Sequence, residues 1–329
     1  MRTARIKADG GGYYHVMSRV IERRMAFGDL EKEKLRQIMR LTADFCGVQV
    51  LTYALMSNHF HLLVKVPERG EISDEELVRR LALLYPKPMV SEIERQLCEA
   101  RAGGDEGLVE AIRSKYLYRM GEVSEFMKTL KQRFSMWFNK RTKRRGTLWE
   151  ERFKSVLVEP TARALGTVSA YIDLNAVRAG LVADPKDYRY CGYGEAVGGV
   201  RRAREGLRAV MGEEGQRGWS EVGQAYRMML YRDGERTEKR SGFSSEEVER
   251  VVSAGGKLPL SVALRCRVRY FSDGVVLGSK GFVEEVFERH RGEFGLKRQT
   301  GARAMRWGEW GGLCTMRDLR LQVIHAGTA

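Results

Sequence analysis

Long apolar runs are missing from this 329-residue chain. None approaches the ~20 residues that a membrane-crossing helix needs, so no transmembrane span and no membrane partner is expected. The basic start Met1-Arg2-Thr3-Ala4-Arg5 is followed by no apolar core, so no secretion signal is expected either. Cysteine is scarce: five residues, at 46, 98, 191, 266 and 314, scattered and odd in number. That pattern excludes a disulfide framework and a cysteine-rich zinc site, and it points to a reducing, cytoplasmic setting. Acidic side chains are the minority charge, 43 against 58 Lys and Arg, for a net +15 and a pI near 9.7. A polyanion is the natural partner of such a chain, because binding phosphates releases their counterions. No basic amphipathic anchor favours a membrane surface instead. There is no internal repeat. A hydrophobic fraction of 43% suits a globular protein of one to three domains with a sizeable core.

Against this background one stretch stands out, Met56-Ser57-Asn58-His59-Phe60-His61-Leu62-Leu63-Val64. Side chains alternate across a β-strand, so His59 and His61 share one face and Phe60 takes the other. Two imidazoles side by side on a rigid strand make half of a metal site. The chain has only five histidines, which makes an accidental pair at this spacing uncommon. Two hydrogen-bonded strand histidines are the plain alternative.

Around this stretch the patterning gives a definite order of elements. Residues 1–12 form a basic arm ending in three glycines. Tyr13 to Val20 reads as a strand. A helix capped by Asp29 runs through Leu35, Ile38, Met39 and Phe45 and stops at Gly47. Val48 to Leu55 and His59 to Val66 read as a hairpin. Residues 71–120 look like an inserted helical segment, opened by Ser73-Asp74-Glu75-Glu76 and broken at Pro86 and Pro88; a lid, a DNA clamp and a passive spacer all fit its mixed-charge faces. Ser124 to Asn139 is an amphipathic helix whose Phe126, Leu130, Phe134 and Phe138 are expected in the core. Phe153 to Glu159 reads as a fourth strand. A helix from about Ala162 to Arg178 follows, closed by Gly180. The order strand, helix, strand, strand, helix, strand is the ferredoxin-like split βαβ pattern: an α+β fold with an antiparallel sheet and helices on one face. A boundary is expected near residue 197, separating a domain at 1–196 from a basic extension at 197–329. In the extension, helices are expected over Val222–Arg232, Ser244–Ser253, Ser279–His290 and Leu313–Val323. The extension suits a helical DNA-binding module or a structural tail.

Three motifs agree in order: Tyr14-His15-Val16-Met17-Ser18-Arg19, the His59-Phe60-His61 strand, and Tyr171-Ile172-Asp173-Leu174-Asn175-Ala176-Val177-Arg178-Ala179-Gly180-Leu181-Val182. Together they resemble the REP-associated tyrosine transposases, relatives of the insertion-sequence-200-like single-tyrosine HUH enzymes. The likeness covers roughly residues 10–195. One position departs from it: Ala176 stands where the family usually carries proline, which removes no chemical group. The resemblance implies a metal-dependent transposase that cleaves and rejoins single-stranded DNA at hairpin-forming repeats. By it, His59, His61 and Asn175 correspond to the metal ligands and Tyr171 to the nucleophile. A site of two imidazoles and one amide oxygen, completed by substrate oxygens, suits Mg²⁺ or Mn²⁺ better than zinc. Relatives include monomers and homodimers, and the short Glu159-Pro160-Thr161 segment before the helix favours a site within one chain.

The remaining expectations follow from these. Asp173 should face solvent. Tyr188, Tyr190 and Tyr193 lie in a glycine-containing turn region with no paired ligand. Ten Lys and Arg between Lys128 and Lys154 face only Glu150 and Glu151. From this run Lys131, Lys140, Arg141, Lys143, Arg144, Arg145, Arg152 and Lys154, with Arg19 and Arg23 beside the first strand, are the candidate DNA contacts. Trp149 suits a stacked base or the core. A cytoplasmic, nucleoid-associated protein is expected. The alternatives are a non-cleaving hairpin-binding regulator and a metal-dependent hydrolase of another substrate in which Tyr171 is idle.

Overall fold

The strand expected near Tyr13 forms as β1 (Gly12–Arg19), and the hairpin forms as β2 (Gln49–Leu55) and β3 (His59–Val66). The structure, a computed structural model, describes residues 5–212, 217–231, 260–265, 270–306 and 308–317. The fourth strand is β4 (Lys154–Val158), and three further strands come from the C-terminal extension: β5 (Gly274–Gly278), β6 (Arg303–Ala304) and β7 (Cys314–Arg317). All seven join one sheet in the order β2-β3-β1-β4-β5-β7-β6. Its pairings are antiparallel except β4 with β5, which is parallel. The α+β class read from the sequence is the class found.

Helix α1 (Asp29–Cys46) buries Leu35, Ile38, Met39, Thr42, Phe45 and Cys46, a stripe with helical spacing. Its N-cap is Gly28 and not Asp29; the Glu31 carboxylate accepts from the Gly28 N–H at 3.0 Å. Gly47 ends it in the left-handed region, φ 66°, which a glycine adopts without strain. α5 (Val123–Thr142) packs on α1, and its Phe126, Phe134 and Phe138 are buried as expected. The insertion folds as α2 (Asp74–Leu81), α3 (Lys87–Ala102) and α4 (Glu106–Leu117), with Ser73 Oγ accepting from the Glu76 N–H at 3.2 Å. α2 packs on α1, and α3 and α4 stack on from it.

Helices cover both faces of the sheet, not one. Phe60 packs through Trp149 to Phe134 of α5, whereas α6 (Ala162–Asp173) lies on β2 and β3 with its Tyr171 against His61 on the opposite face. This explains why β3 is apolar at both parities, with Phe60, Leu62, Leu63 and Val64 all fully buried. The open edge of β2 is closed by residues 190 and 191: Leu55 N–H donates to the Tyr190 carbonyl at 2.9 Å, and Ala54 bridges Cys191. α8 (Gly192–Val197), α9 (Arg201–Val210) and α10 (Trp219–Tyr231) continue this cover. At Gly192 a Cβ would collide with Thr52, so the close approach of α8 to β2 requires glycine.

The extension is less helical than its pattern suggested. Over Leu313–Val323 the expected helix is replaced by β7, whose Thr315 and Met316 are buried beside β5. β5 leaves backbone groups open on that side, and a strand satisfies them where a helix could not. Residues 318–323 and the helix expected at Ser244–Ser253 lie outside the described residues. Beside β5 stand α12 (Tyr270–Asp273) and α13 (Lys280–Arg289), the last capped by Ser279, while α11 (Leu260–Arg265) packs against α6 and α10. Among the described residues no helix is long and apolar enough to cross a membrane.

Candidate active site

Strand register assembles one face residue by residue. Arg19 pairs with His59 and Met17 with His61 across β1 and β3, while Lys154 of β4 pairs with Met17. Directly opposed residues of antiparallel strands share a face. His15, two residues before Met17, therefore joins Arg19, His59, His61 and Lys154 on that face. Thr52 and Ala54 of β2 belong to it too, opposite Leu63 and His61. His15 was not singled out by the sequence argument; the alternation of β1 was the signal that would have found it.

The two histidines of the motif are each held by their ring Nδ1. His59 Nδ1 lies 2.7 Å from Asn58 Oδ1, and Asn58 Nδ2 donates to the Arg23 carbonyl at 2.8 Å. A carbonyl only accepts, so the amide's NH₂ faces Arg23 and its oxygen faces the ring. His59 Nδ1, facing an oxygen, therefore carries a proton. The Arg23 carbonyl belongs to a turn in which Glu22 and Arg23 both have positive φ, 58° and 55°. Such backbone is strained for non-glycine residues and persists only where neighbours hold it. Here Val20 N–H to Asn58 O at 2.8 Å and Phe27 N–H to Ser57 O at 2.9 Å do so. His61 Nδ1 lies 2.9 Å from His15 Nε2, with the two rings stacked at 5.1 Å. Burial pushes the His15 pKa down to about 3 and that of His61 well below its usual value; the neighbouring His15 and His59 act in the same direction on His61. Both rings are thus neutral at physiological pH, as metal ligands must be.

Over this pair sits Tyr171 of α6. Its ring is 6.0 Å from that of His61 and 6.1 Å from that of His15. The Phe271 ring stacks on it at 4.4 Å, and the Arg178 guanidinium lies 4.1 Å from its centroid. Arg178 also donates to the carbonyls of Tyr171 at 2.6 Å and Leu264 at 2.7 Å, pinning the tyrosine helix to α11. The tyrosine hydroxyl makes no hydrogen bond to any described residue. The helix does not run unbroken to Arg178. It gives way at Leu174, with ψ near 1°, and α7 (Asn175–Arg178) starts afresh. Asn175 opens that second helix, 8% exposed, and its amide too makes no hydrogen bond to a described residue. A nearly buried amide without a partner among the described residues is suited to an outside ligand. Among the described residues no three His, Cys, Asp or Glu side chains gather as a metal centre. A cation at the two imidazoles would draw on oxygens brought by a substrate, with Asn175 the candidate for a third protein ligand.

Asp173 is fully buried and not solvated. It accepts from Thr52 Oγ1 at 2.8 Å, the Tyr226 hydroxyl at 2.5 Å and the Tyr193 N–H at 3.1 Å, tying α6 to β2, α8 and α10. The turn tyrosines are structural: Tyr188 donates to the Leu55 carbonyl at 2.6 Å and Tyr190 to the Asp29 carbonyl at 3.1 Å, while Tyr193 packs against Tyr226 at 5.5 Å. Trp149 is core, ringed by Phe27, Phe60 and Phe134, its Nε1 donating to Ser135 Oγ at 2.8 Å.

The basic residues separate into two groups. Lys131 is engaged internally: it donates to the Glu151 carbonyl at 2.8 Å, and burial, with the Arg5 charge beside it, lowers its pKa to about 8. Arg141 pairs with Glu31 at 3.3 Å, Lys154 reaches Glu151 at 3.7 Å, and Arg144 leans on the Thr147 carbonyl at 3.5 Å. Arg19, Arg23, Lys140, Lys143, Arg145 and Arg152 are exposed.

Residues 10–94 match the family model described as "Transposase IS200 like". The matched span contains His15, His59 and His61; Tyr171 and Asn175 lie beyond it. The family likeness read from the motifs is therefore found in the N-terminal part of the chain. No curated protein matches. A solved structure titled "Structure of the REP associates tyrosine transposase bound to a REP hairpin" is similar over 60% of this chain and 87% of its own, at 14% identity and a TM-score of 0.39.

Proposed function

We propose that this chain is a metal-dependent DNA transposase and single-strand endonuclease that cleaves and rejoins hairpin-forming DNA through Tyr171. The observation that carries this is the 6.0 Å separation of the Tyr171 and His61 rings within one chain. That span brings a hydroxyl with no hydrogen bond to a described residue to the strand motif that the transposase family model covers.

In this mechanism His59, His61 and Asn175 would hold Mg²⁺ or Mn²⁺, which would supply Lewis-acid polarisation of the scissile phosphate. The Nδ1 atoms of the two imidazoles are turned to Asn58 and His15, so a cation would be met through their Nε2 atoms. The Tyr171 oxygen attacks phosphorus and gives up its proton. The bond from phosphorus to the 3′-oxygen breaks, and that oxygen takes a proton. The products are a 5′-phosphotyrosine and a free 3′-hydroxyl. A later 3′-hydroxyl attacks the phosphotyrosine and expels the phenol, so the strand is rejoined without ATP. Phe271 and Arg178 fix the ring during both steps, which lowers the entropic cost of reaching the reactive geometry. Arg19 and Lys154 flank the histidines on the same face and are suited to the DNA backbone. Because the rings converge within one chain, a monomer suffices. A cytoplasmic, nucleoid-associated location accords with this role.

The test incubates a single-stranded hairpin oligonucleotide with the full chain and Mn²⁺ and reads the denaturing-gel shift of a covalent adduct. The adduct should form in the wild type and vanish in Tyr171→Phe. Stability should change by less than about 0.5 kcal/mol, since only an unbonded hydroxyl is removed. An adduct that survives moves the nucleophile elsewhere. Salt-sensitive hairpin binding without cleavage under any metal would make the chain a non-cleaving regulator.

A further inference from the structure

We infer that Arg5, Lys131 and Arg152 form a seat for a phosphate of the DNA strand, on the face of the sheet away from the histidines. The inference rests on the single-stranded DNA binding proposed above. It adds to that reading a second point of contact and a residue of the N-terminal arm.

The seat is built on one stretch of chain, Glu151-Arg152-Phe153. The Lys131 ammonium donates to the Glu151 carbonyl at 2.8 Å, and the Arg5 guanidinium donates to the Phe153 carbonyl at 3.0 Å. Both cations rest on aromatic rings: Arg5 lies 3.6 Å from the centroid of Phe153, and Lys131 lies 5.4 Å from that of Trp149. Arg152 stands between the two carbonyls in sequence, exposed, with no hydrogen bond or ion pair to a described residue. The charge of Arg152 bears on Arg5, and that of Arg5 on Lys131. None of the three forms an ion pair with a described carboxylate. The carboxylates closest to hand serve other cations: Glu122 pairs with Lys7 at 2.9 Å, and Glu151 reaches Lys154 at 3.7 Å. Like charges repel more where water is partly excluded, and Arg5 and Lys131 are half-buried. An anion between them would offset that repulsion. One carbonyl each leaves the ammonium and the guanidinium with further N–H groups to give. A guanidinium fork and an ammonium point charge both suit phosphate oxygens.

The seat lies where a strand leaving the site would pass. Glu150 N–H donates to the Arg19 carbonyl at 2.9 Å, so this loop runs beside the end of β1 where Arg19 opposes His59. Lys154 follows Phe153 directly and belongs to the histidine face. Lys131 is on α5, which covers the other face through Trp149 and Phe60. A strand crossing this end of the sheet would meet Arg19 and Lys154 on one side and Arg152, Lys131 and Arg5 on the other. A free phosphate ion would find the same donors, but only a strand would use the charges that continue to the histidine face.

The experiment measures binding of a fluorescent hairpin oligonucleotide with single-stranded flanks to the full chain, without divalent metal, over a series of salt concentrations. Each of Arg5→Gln, Lys131→Gln and Arg152→Gln should reduce the dependence of log affinity on log salt by about 0.7. Neutral methylphosphonate linkages, placed one at a time along the flanks, then locate the seated phosphate. At one linkage, neutralisation should weaken the wild type, and the same change should weaken Arg152→Gln by less than about twofold, because that pair is already broken. Slopes equal to the wild type, or losses that simply add at every linkage, overturn the seat. So does competition by inorganic phosphate at constant ionic strength with no linkage effect, which would make the free ion the occupant. Arg152→Gln decides alone if the other two variants do not fold, since its exposed side chain bonds no described residue. Cleavage is judged separately, by the covalent adduct formed with Mn²⁺. An adduct with unaltered slopes overturns the seat and leaves the cleavage reading standing; altered slopes with a linkage effect but no adduct support the seat and overturn cleavage.

Discussion

Replacing Asp173 by asparagine should change how stability depends on pH, and the structure gives the sign and the size. The carboxyl is fully buried, and burial raises its pKa to about 6 although Tyr226, the Tyr193 N–H and Thr52 all donate to it. In the unfolded chain an aspartate titrates near 3.9. Between these values the folded chain holds a proton that the unfolded chain has lost. Stability therefore falls as pH rises from about 4 to about 6 and is flat on either side. The gap of roughly two pH units corresponds to about 3 kcal/mol. The substituted amide does not titrate, and its NH₂ cannot accept from the Tyr226 hydroxyl, which adds a pH-independent loss of about 1–3 kcal/mol. Urea unfolding of both proteins at matched pH isolates the effect, because every other titration cancels in the difference. Relative to wild type, the variant should gain about 3 kcal/mol between pH 4 and 6.5. A difference that stays constant with pH would mean that the carboxyl is not desolvated as its burial implies. A difference of the opposite slope would mean that the three donors outweigh burial and hold an ionised carboxylate.

Phe271→Ala should destabilise the chain by about 3–5 kcal/mol, and Phe271→Leu by much less, with adduct formation slowed in both; an unchanged rate in the leucine variant would remove Phe271 from the positioning of Tyr171. Converting Lys140, Lys143 and Arg145 together to alanine should reduce the dependence of log affinity on log salt by about 2 for single-stranded DNA, and an unaltered slope would route the DNA over another face. Trp149→Phe should cost about 1–3 kcal/mol through its lost hydrogen bonds and volume while leaving DNA affinity as it was; weakened DNA binding at unchanged stability would contradict its place in the core.

What the sequence made legible was whatever depends on short spacing. The period of two placed His59 and His61 on one face and Phe60 on the other. The period of 3.6 found the core stripes of α1 and α5, and Gly47 marked the end of α1. The errors arose where distant contacts decide. Asp173 looked like a solvated residue because nothing near it in sequence shows that Thr52, Tyr193 and Tyr226 converge on it. The break at Leu174 is likewise unmarked, since no glycine or proline stands between Gly166 and Gly180. The segment after Gly312 was misread as helix because its strand identity comes from β5, which lies well before it in the chain. His15 stood inside a recognised motif, but its contact with His61 needs the register between β1 and β3. Trp149 could not be assigned between core and base until Phe27, Phe60 and Phe134 were seen around it.

The extension matters most for what it does to the tyrosine. A helix that breaks after Asp173 would by itself leave Tyr171 near a frayed end, where side chains sample several rotamers. Three contacts oppose this, and two come from the extension. Phe271 covers one face of the ring, the Leu264 carbonyl anchors Arg178, and Arg178 in turn holds the Tyr171 carbonyl and lies over the ring. The short α12 segment thus bears on the proposed nucleophile through the Phe271 side chain. Addition of β5 to the parallel edge of β4 fixes where that segment lies, because Leu157 and Val158 pair with Val276 and Leu277 a few residues beyond Phe271. The strand pairing that continues the sheet is therefore also what sets the orientation of the site, and the two cannot be varied independently.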